Sequence, residues 1–491
     1  MNAGTTRIQK ITIDPITRLE GHGKIEIFLN EEGNVQDAYL QIPELRGFEQ
    51  FCVGRPAEEM ARITPRICGV CPLAHHFASA KALDAAFQVE PTSTAKKLRE
   101  LMYMAYFIYD HTLHFYYLGG PDFIVGPDAA PGDRNIVGVI GKVGMEVGKE
   151  VIKHRAYGQK IIQMLGGKAT HPVCGLPGGI SKGLSEDERV EIETMARSCI
   201  EFGQFTLDLF DELILSNRKY LDLILGDTYQ VKTHHMGLVD EDNRVNFYDG
   251  MIRVKDHQND EIAKFDAENY LDYIEEHVEP WTYAKFPYLK KYGWQGLAED
   301  SNNGIYRVAP LSRLNVSDGM ATPIAQLAYE RFYTTLGEKP VQSALAYHWA
   351  RVIELMYACE RLLELATDPE ITSPDIRNFP DEPSRGVGVI EAARGTLIHD
   401  YRMDKNGMIE QVNLIVATVN NNAAINLGVK KTASHLIKNF KVSDGLLNMV
   451  EMTFRAYDPC FACATHSLPG QMPMKITIYD VDKNVYQQLV Q

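Results

Sequence analysis

The chain has 491 residues, of which 45% are apolar and 23% charged, enough to bury a large core in one domain or two tightly packed ones. Its formal net charge of −15 argues against nucleic acid or an anionic membrane as partner, since both need a positive footprint. No run approaches the roughly 18 apolar residues of a membrane span, and Met1–Arg7 has no apolar signal core, so a cytoplasmic protein is expected.

Period-two patterning opens the chain: Ile8, Ile11 and Ile13, then Ile25, Ile27 and Leu29, then Val35, Ala38, Leu40 and Ile42, with Glu31–Asn34 as a turn. A small antiparallel sheet is predicted. Its first connection, Asp14–His22, is rich in ionisable groups and is read as a working loop rather than a plain turn. Helical spacing begins after Pro91, where Thr92 or Ser93 caps a helix running through Leu98, Leu101, Met102, Ala105 and Ile108 to Asp110. A second helix starts at a Ser185–Glu188 cap and continues through Met195, Cys199 and Phe202 to Leu209. A third, Leu345–Ala366, carries one apolar stripe and stops at Asp368-Pro369. Residues 227–315 read as loops and small sheet, with Arg244–Tyr248 as a strand-like piece. Strand patterning returns at Met408–Val416, a helix follows at Ser443–Ala456, and the tail carries one strand, Met474–Tyr479, with a turn at Asp480–Asn484. The fold class expected is α+β, predominantly helical: a long-helix bundle with small peripheral antiparallel sheets.

Two CxxC pairs stand near opposite ends, Cys68/Cys71 and Cys460/Cys463, each placing two sulfurs on one turn in a bite that suits a soft or borderline metal. Eight cysteines are too few for a disulfide scaffold at this length. The other four, Cys52, Cys174, Cys199 and Cys359, are read as small buried hydrophobes. Zinc modules usually bring their pairs within about 15 to 20 residues of each other, so pairs this distant would stitch a whole fold together. Arg66 and His75 accompany the first pair, Asp458 and His466 the second, which favours a redox or catalytic metal over structural zinc or independent thiols. No cysteine set remains for an iron–sulfur cluster, so electrons must leave through another polypeptide.

Arg66–Cys71 with His75, Asp458–Cys463 with His466, Asp14–His22, Arg46–Glu49 and Glu391–Gly395 together resemble the large, catalytic subunit of nickel-iron hydrogenases, over essentially the whole chain. Ala309–Asn315, Gly388–Glu391 and Thr418–Asn422 look closest to the cytoplasmic NAD-linked bidirectional enzymes, with those linked to heterodisulfide reductase as near relatives. The resemblance implies a nickel held by all four thiolates and an iron carrying cyanide and carbon monoxide. Cys68 and Cys460 would be terminal on nickel, and Cys71 and Cys463 would bridge. It implies a canopy of Arg394, Asp110 and Asp458, a proton-gate carboxylate at Glu20, His75 beside a bridging sulfur, and Thr418 and Arg394 donating to the cyanides. Glu49 and His466, with a backbone carbonyl near Leu414, would bind magnesium. Ala393 stands where many relatives have proline. His111 and His114 are expected to be satisfied core histidines.

The function expected is reversible cleavage of H2 to protons and electrons, which leave through an iron–sulfur small subunit, to NAD(P) by way of a diaphorase. Heterodisulfide reductase or ferredoxin as acceptor, or a non-catalytic sensor relative, are the alternatives. Residues 1–466 would form the catalytic domain, and 467–491 an extension removed after His466 by a maturation endopeptidase.

Overall fold

The computed structural model of the chain describes residues 9–299, 302–465, 475–479 and 485–490. Strands β1 (Gln9–Ile13), β2 (Lys24–Leu29) and β3 (Val35–Gln41) form an antiparallel sheet in that order. Ile25 and Ile27 of β2 are buried opposite Leu40 and Ala38 of β3, while Glu26 faces outward and accepts from Lys10 Nζ at 2.9 Å. The predicted alternation therefore sorts one face inward and one outward. The loop joining β1 to β2 is bound to the far end of the chain. Glu20 forms a parallel bridge with Cys460, and Phe461 N–H donates to the Glu20 carbonyl at 2.9 Å. Gly21, at φ 87°, permits this approach, because a Cβ there would lie 2.7 Å from the Ala462 nitrogen.

The helical body comprises α1 (Pro72–Ala86), α2 (Ser93–Leu113), α3 (Met145–Gly166), α4 (Glu186–Phe210), α5 (Pro310–Val316) and α6 (Ala346–Ala366). Thr92 Oγ1 caps α2 by accepting from Ala95 N–H, and Ser185 with Glu188 closes a capping box on α4. Helix α6 packs against α2 and α4, and α2 against α3. In place of the single apolar stripe expected of α6, every residue from Ala346 to Glu360 is buried, so the helix is enclosed on all sides and brings Arg351 and Glu354 into the interior. Each Leu, Ile or Phe buried in this body contributes roughly 1.5–3 kcal/mol. Helix α2 passes directly into a π-turn, His114–Gly119.

In the middle region, β4 (His234–Val239), β5 (Met251–Lys255), β6 (Glu261–Phe265) and β7 (Tyr306–Arg307) form a sheet in the order β7-β4-β5-β6. The strand expected at Arg244–Tyr248 is absent. Asn246 Oδ1 accepts from the N–H groups of Tyr248 and Asp249, at 2.9 and 3.1 Å, and this Asx turn diverts the backbone from a ladder. Farther on, β8 (Arg385–Ala392), β9 (Gly395–Met403) and β10 (Ile409–Ile415) make a three-stranded antiparallel sheet. Its first two strands were not predicted, because both faces are buried and no alternation marks them. Strand β8 lies so close to α1 that a Cβ on Gly388 would sit 2.2 Å from the Ala78 carbonyl oxygen and 2.4 Å from the Ala82 nitrogen.

Helices α7 (Asn422–Leu436) and α8 (Asp444–Ala456) pack on each other, α7 also on β3, and the chain then enters the second cysteine pair. In the tail, β11 (Lys475–Tyr479) pairs antiparallel with β12 (Val485–Val490), and the predicted turn between them lies outside the described residues. Among the described residues, no helix is long and apolar enough to cross a membrane.

Candidate metal centre

The first cysteine pair occupies a tight turn between the 3-10 turn Thr64–Ile67 and α1, with Cys71 at the N-cap of α1 and Pro72 at its first position. Cys68 Sγ accepts from the N–H groups of Val70 and Cys71, at 3.2 and 3.4 Å. The second pair follows α8 and is held against the Glu20 loop by the parallel bridge. Arg46 ties both ends together: its Nη1 donates to Ile67 O at 2.7 Å, and its backbone N–H donates to Thr465 O at 3.0 Å.

These tethers bring four sulfurs to one point. Cys68 and Cys460 are 3.2 Å apart, Cys71 and Cys463 3.5 Å, and Cys460 and Cys463 2.8 Å; all four lie within 4.8 Å of one another and all are buried. Hydrogen bonds from the thiols of Cys460, Cys463 and Cys71 pull Cys68 well below the ordinary thiol range, while burial pushes Cys460 and Cys463 well above it. An all-sulfur donor set in a dry pocket fits a soft or borderline metal and not a hard one.

Above this group sits a buried ion cluster. Arg394 forms the tip of the β8–β9 hairpin, where Ala392 pairs with Gly395 across the turn. Its Nη1 and Nη2 donate to the two carboxylate oxygens of Asp110 at 3.0 and 3.1 Å, and Nη2 lies 2.9 Å from Asp458 Oδ2. Burial opposes the arginine charge, but Asp110 and Asp458 outweigh it and hold the guanidinium well above its ordinary pKa. Burial pushes Asp458 up to about 7 despite Arg394. The hairpin tip is fixed through its backbone, since Asn421 Nδ2 donates to Arg394 O at 3.3 Å while Asn421 Oδ1 accepts from Val308 N–H at 2.8 Å.

Glu20 touches the sulfur group directly. Cys460 Sγ donates to Glu20 Oε2 at 2.9 Å and Ala462 N–H to the same oxygen at 3.2 Å; burial, then the Cys68 charge, raises the carboxyl's pKa. Thr418 Oγ1 accepts from Cys460 N–H at 3.0 Å, which leaves its own proton free to donate. His75 is fully buried, pulled down to about 4 by burial, and its Nε2 has no hydrogen-bond partner. Glu49 lies apart from the cysteines, its Oε1 accepting from Leu414 N–H at 2.9 Å, and His466 falls outside the described residues. His111 and His114 are buried, His111 Nε2 against Glu354 Oε2 at 2.9 Å and His114 Nε2 against Arg455 O at 2.8 Å; Nδ1 of each has no partner.

Sequence reasoning missed the ions behind the canopy. Arg313 of α5 forks onto Glu354, 2.6 Å from each oxygen, and reaches Glu391 Oε2 at 2.6 Å. Glu354 holds His111, the neighbour of Asp110, and Glu391 precedes Arg394 by three positions, so one buried guanidinium braces both sides of the canopy. Only the membership of Arg313 and Glu391 in the segments Ala309–Asn315 and Gly388–Glu391 hinted at this; nothing marked Glu354.

Comparison with known proteins agrees with the geometry. The description Nickel-dependent hydrogenase matches residues 46–135 and 150–466, and HoxL-like matches 10–45. The chain is similar to an F420-non-reducing hydrogenase of Archaeoglobus profundus, 51% identical over 96% of this chain and 98% of that one. It is similar to the NAD-reducing hydrogenase HoxS beta chain of Cupriavidus necator, 38% identical over 96% and 97%. A solved NAD+-reducing [NiFe]-hydrogenase in the H2-reduced state superposes with a TM-score of 0.88 at 38% identity, covering 94% of this chain and 100% of that one. A [NiFeSe] hydrogenase of Desulfovibrio vulgaris Hildenborough shares the fold at a TM-score of 0.73 and 23% identity. With four clustered thiols under a buried Arg–Asp canopy and family similarity along nearly its whole length, the chain belongs to the nickel-dependent hydrogenases, as their large, catalytic subunit.

Proposed function

We propose that Cys68, Cys71, Cys460 and Cys463 hold a nickel–iron centre, Cys68 and Cys460 on nickel alone and Cys71 and Cys463 shared with an iron carrying cyanide and carbon monoxide. When bound, that centre supplies the heterolytic cleavage of H2 and takes up its electrons. The observation that carries the reading is the join of the sulfur group to a proton acceptor: Cys460 Sγ sits 2.9 Å from Glu20 Oε2. Glu20 receives the proton from that sulfur, its raised pKa suiting a relay. Arg394, kept charged by Asp110 and Asp458, offsets the negative charge that the thiolates and cyanides leave in a buried site. With the centre bound, Thr418 and Arg394 would be the donors to its cyanides.

Glu49 and His466 hold a magnesium ion with the Leu414 carbonyl. The contact of Glu49 with Leu414 N–H and the Arg46–Thr465 backbone bond, one residue short of His466, support this. Residues 1–466 act as the catalytic domain, in the cytoplasm, and an endopeptidase removes 467–491 after metal insertion. Electrons leave through an iron–sulfur small subunit. For the final acceptor, NAD(P) through a diaphorase is one reading. Heterodisulfide reductase or ferredoxin is the alternative; the chain is 51% identical to an F420-non-reducing relative and 38% identical to an NAD-reducing one.

Elemental analysis and infrared spectroscopy of the partner-bound enzyme test the centre. Nickel, iron and cyanide and carbon monoxide bands are expected, with an intact mass ending at His466; zinc alone would overturn the assignment.

A further inference from the structure

Between β10 and α7 lies one short helical turn, Ala417–Asn420, all of it buried. Its Thr418 accepts from the backbone N–H of Cys460 at 3.0 Å. Two positions on, Asn420 Nδ2 donates to Thr396 O at 2.8 Å, while Asn420 Oδ1 accepts from the Tyr306 hydroxyl. Asn421 repeats the pattern two residues along each partner, donating to Arg394 O at 3.3 Å and accepting from Val308 N–H at 2.8 Å. Consecutive asparagines thus straddle Gly395, and the carbonyls on either side of it each receive one amide. The hairpin tip has no slack at this point: Gly395 is at φ 120°, and a Cβ there would lie 2.1 Å from Val308 Cγ2.

The partners dictate the residue type. A carbonyl can only accept and a backbone N–H can only donate, so Asn421 must present its nitrogen to Arg394 and its oxygen to Val308. Asn420 must likewise present its nitrogen to Thr396, which leaves its oxygen for Tyr306. Aspartate would keep the acceptor and lose the donor, and leucine would supply neither. Because all these groups are buried, each bond left unmade strands a polar atom away from water. One turn therefore grips the backbone of a metal-binding cysteine and the backbone of the canopy arginine together.

We infer that Asn420 and Asn421 are positioning residues: with Thr418 they form a single mount that sets the reach of the Arg394 guanidinium toward Cys460 and its neighbours. The inference rests on the proposal that those sulfurs hold the nickel–iron centre. A purely structural role predicts that any buried asparagine here would do the same. Asn422 supplies the contrast, since it is equally buried but donates to Ala284 O and Lys285 O, at 3.4 and 3.0 Å, on a different segment.

The test uses the partner-bound enzyme, with nickel and iron content measured first; zinc in place of both would overturn the proposed function, and this inference with it. In fully loaded N420L and N421L, kcat for H2 oxidation should fall about ten- to a hundredfold at unchanged KM, the loss expected when a reacting geometry slips by up to about 1 Å. The infrared bands of the iron ligands should move in the direction given by R394K, and amide hydrogen exchange should speed up at the hairpin tip. N422L should lose comparable thermal stability while kcat and the bands stay at wild-type values. If N420L and N421L keep wild-type kcat and bands, or if N422L moves them equally, the amides only hold the fold and the inference fails. Should the leucine variants not load metal, Y306F decides, because it deletes only the hydroxyl that holds Asn420. Full loading with a lowered kcat and the same band shift supports the inference, whereas wild-type values, or loss of metal here too, overturn it.

Discussion

Glu20 is the residue on which the proposed proton relay and metal centre would meet. Its carboxylate accepts from Cys460 Sγ, while its backbone pairs with the strand-like segment carrying that cysteine. Backbone pairing fixes the carboxyl, so E20Q should leave both the fold and the metals in place and remove only the acid–base function. The expected result is full nickel and iron content with H/D exchange slowed on the order of 10²–10⁴-fold, the usual size of a general acid–base contribution. Unchanged exchange would take Glu20 out of the relay. The side chain of Glu20 was legible in the sequence as one acid in a loop crowded with ionisable groups. The partners of Asn420 and Asn421 were not, because a buried amide carries no local sign of the distant carbonyl it will meet.

At the scale of elements, the contact of α1 with β8 decides where the first cysteine pair sits. Helix α1 begins at Cys71 and presses on Gly386 and Gly388, leaving no room for a methyl group. G388A must drive the helix from the sheet, with an expected loss of about 1–3 kcal/mol or more and reduced metal content. G141A is the matched control: Gly141 is exposed on the short helix Ile136–Val143 with nothing near its Cβ position, so the change should stabilise by up to about 1 kcal/mol. Calorimetry on the two variants checks the contrast; equal effects would mean the close packing is not tight. The caps and the long helices α2, α4 and α6 were readable from local spacing. The β8–β9 hairpin was not, since a strand buried on both faces lacks alternation, and the Arg244–Tyr248 segment misled because its apolar spacing is countered by one asparagine side chain.

Over the whole molecule, the described interior holds several buried histidines. His75, His76 and His111 are fully buried and each is pulled down to about 4 by burial, with His348 pulled down to about 3. The sign follows from linkage. Between pH 6.5, where these groups protonate in the unfolded chain, and about 4, the unfolded state binds protons that the fold refuses. Stability therefore falls as pH drops through that window and is undiminished above it. With about 1.4 kcal/mol per unit of pKa difference, several such groups should lower the unfolding temperature steeply from pH 6.5 to 4. A flat profile in scanning calorimetry would mean these rings take up protons in the fold.

The sequence by itself determined the chemistry: two distant CxxC pairs, an acidic loop, an Arg-Gly turn and the family they resemble, because these are local patterns of residue type. It also determined the long helices, whose caps and spacing are local too. Tertiary structure decided the rest. Only folding brings residue 20 to residue 460, sets Asp110 against Arg394, braces them through Arg313 and ties Asn421 to the Arg394 backbone. Each of those contacts joins residues far apart in the chain, and buried ions and amides gain their roles from partners that no local pattern specifies.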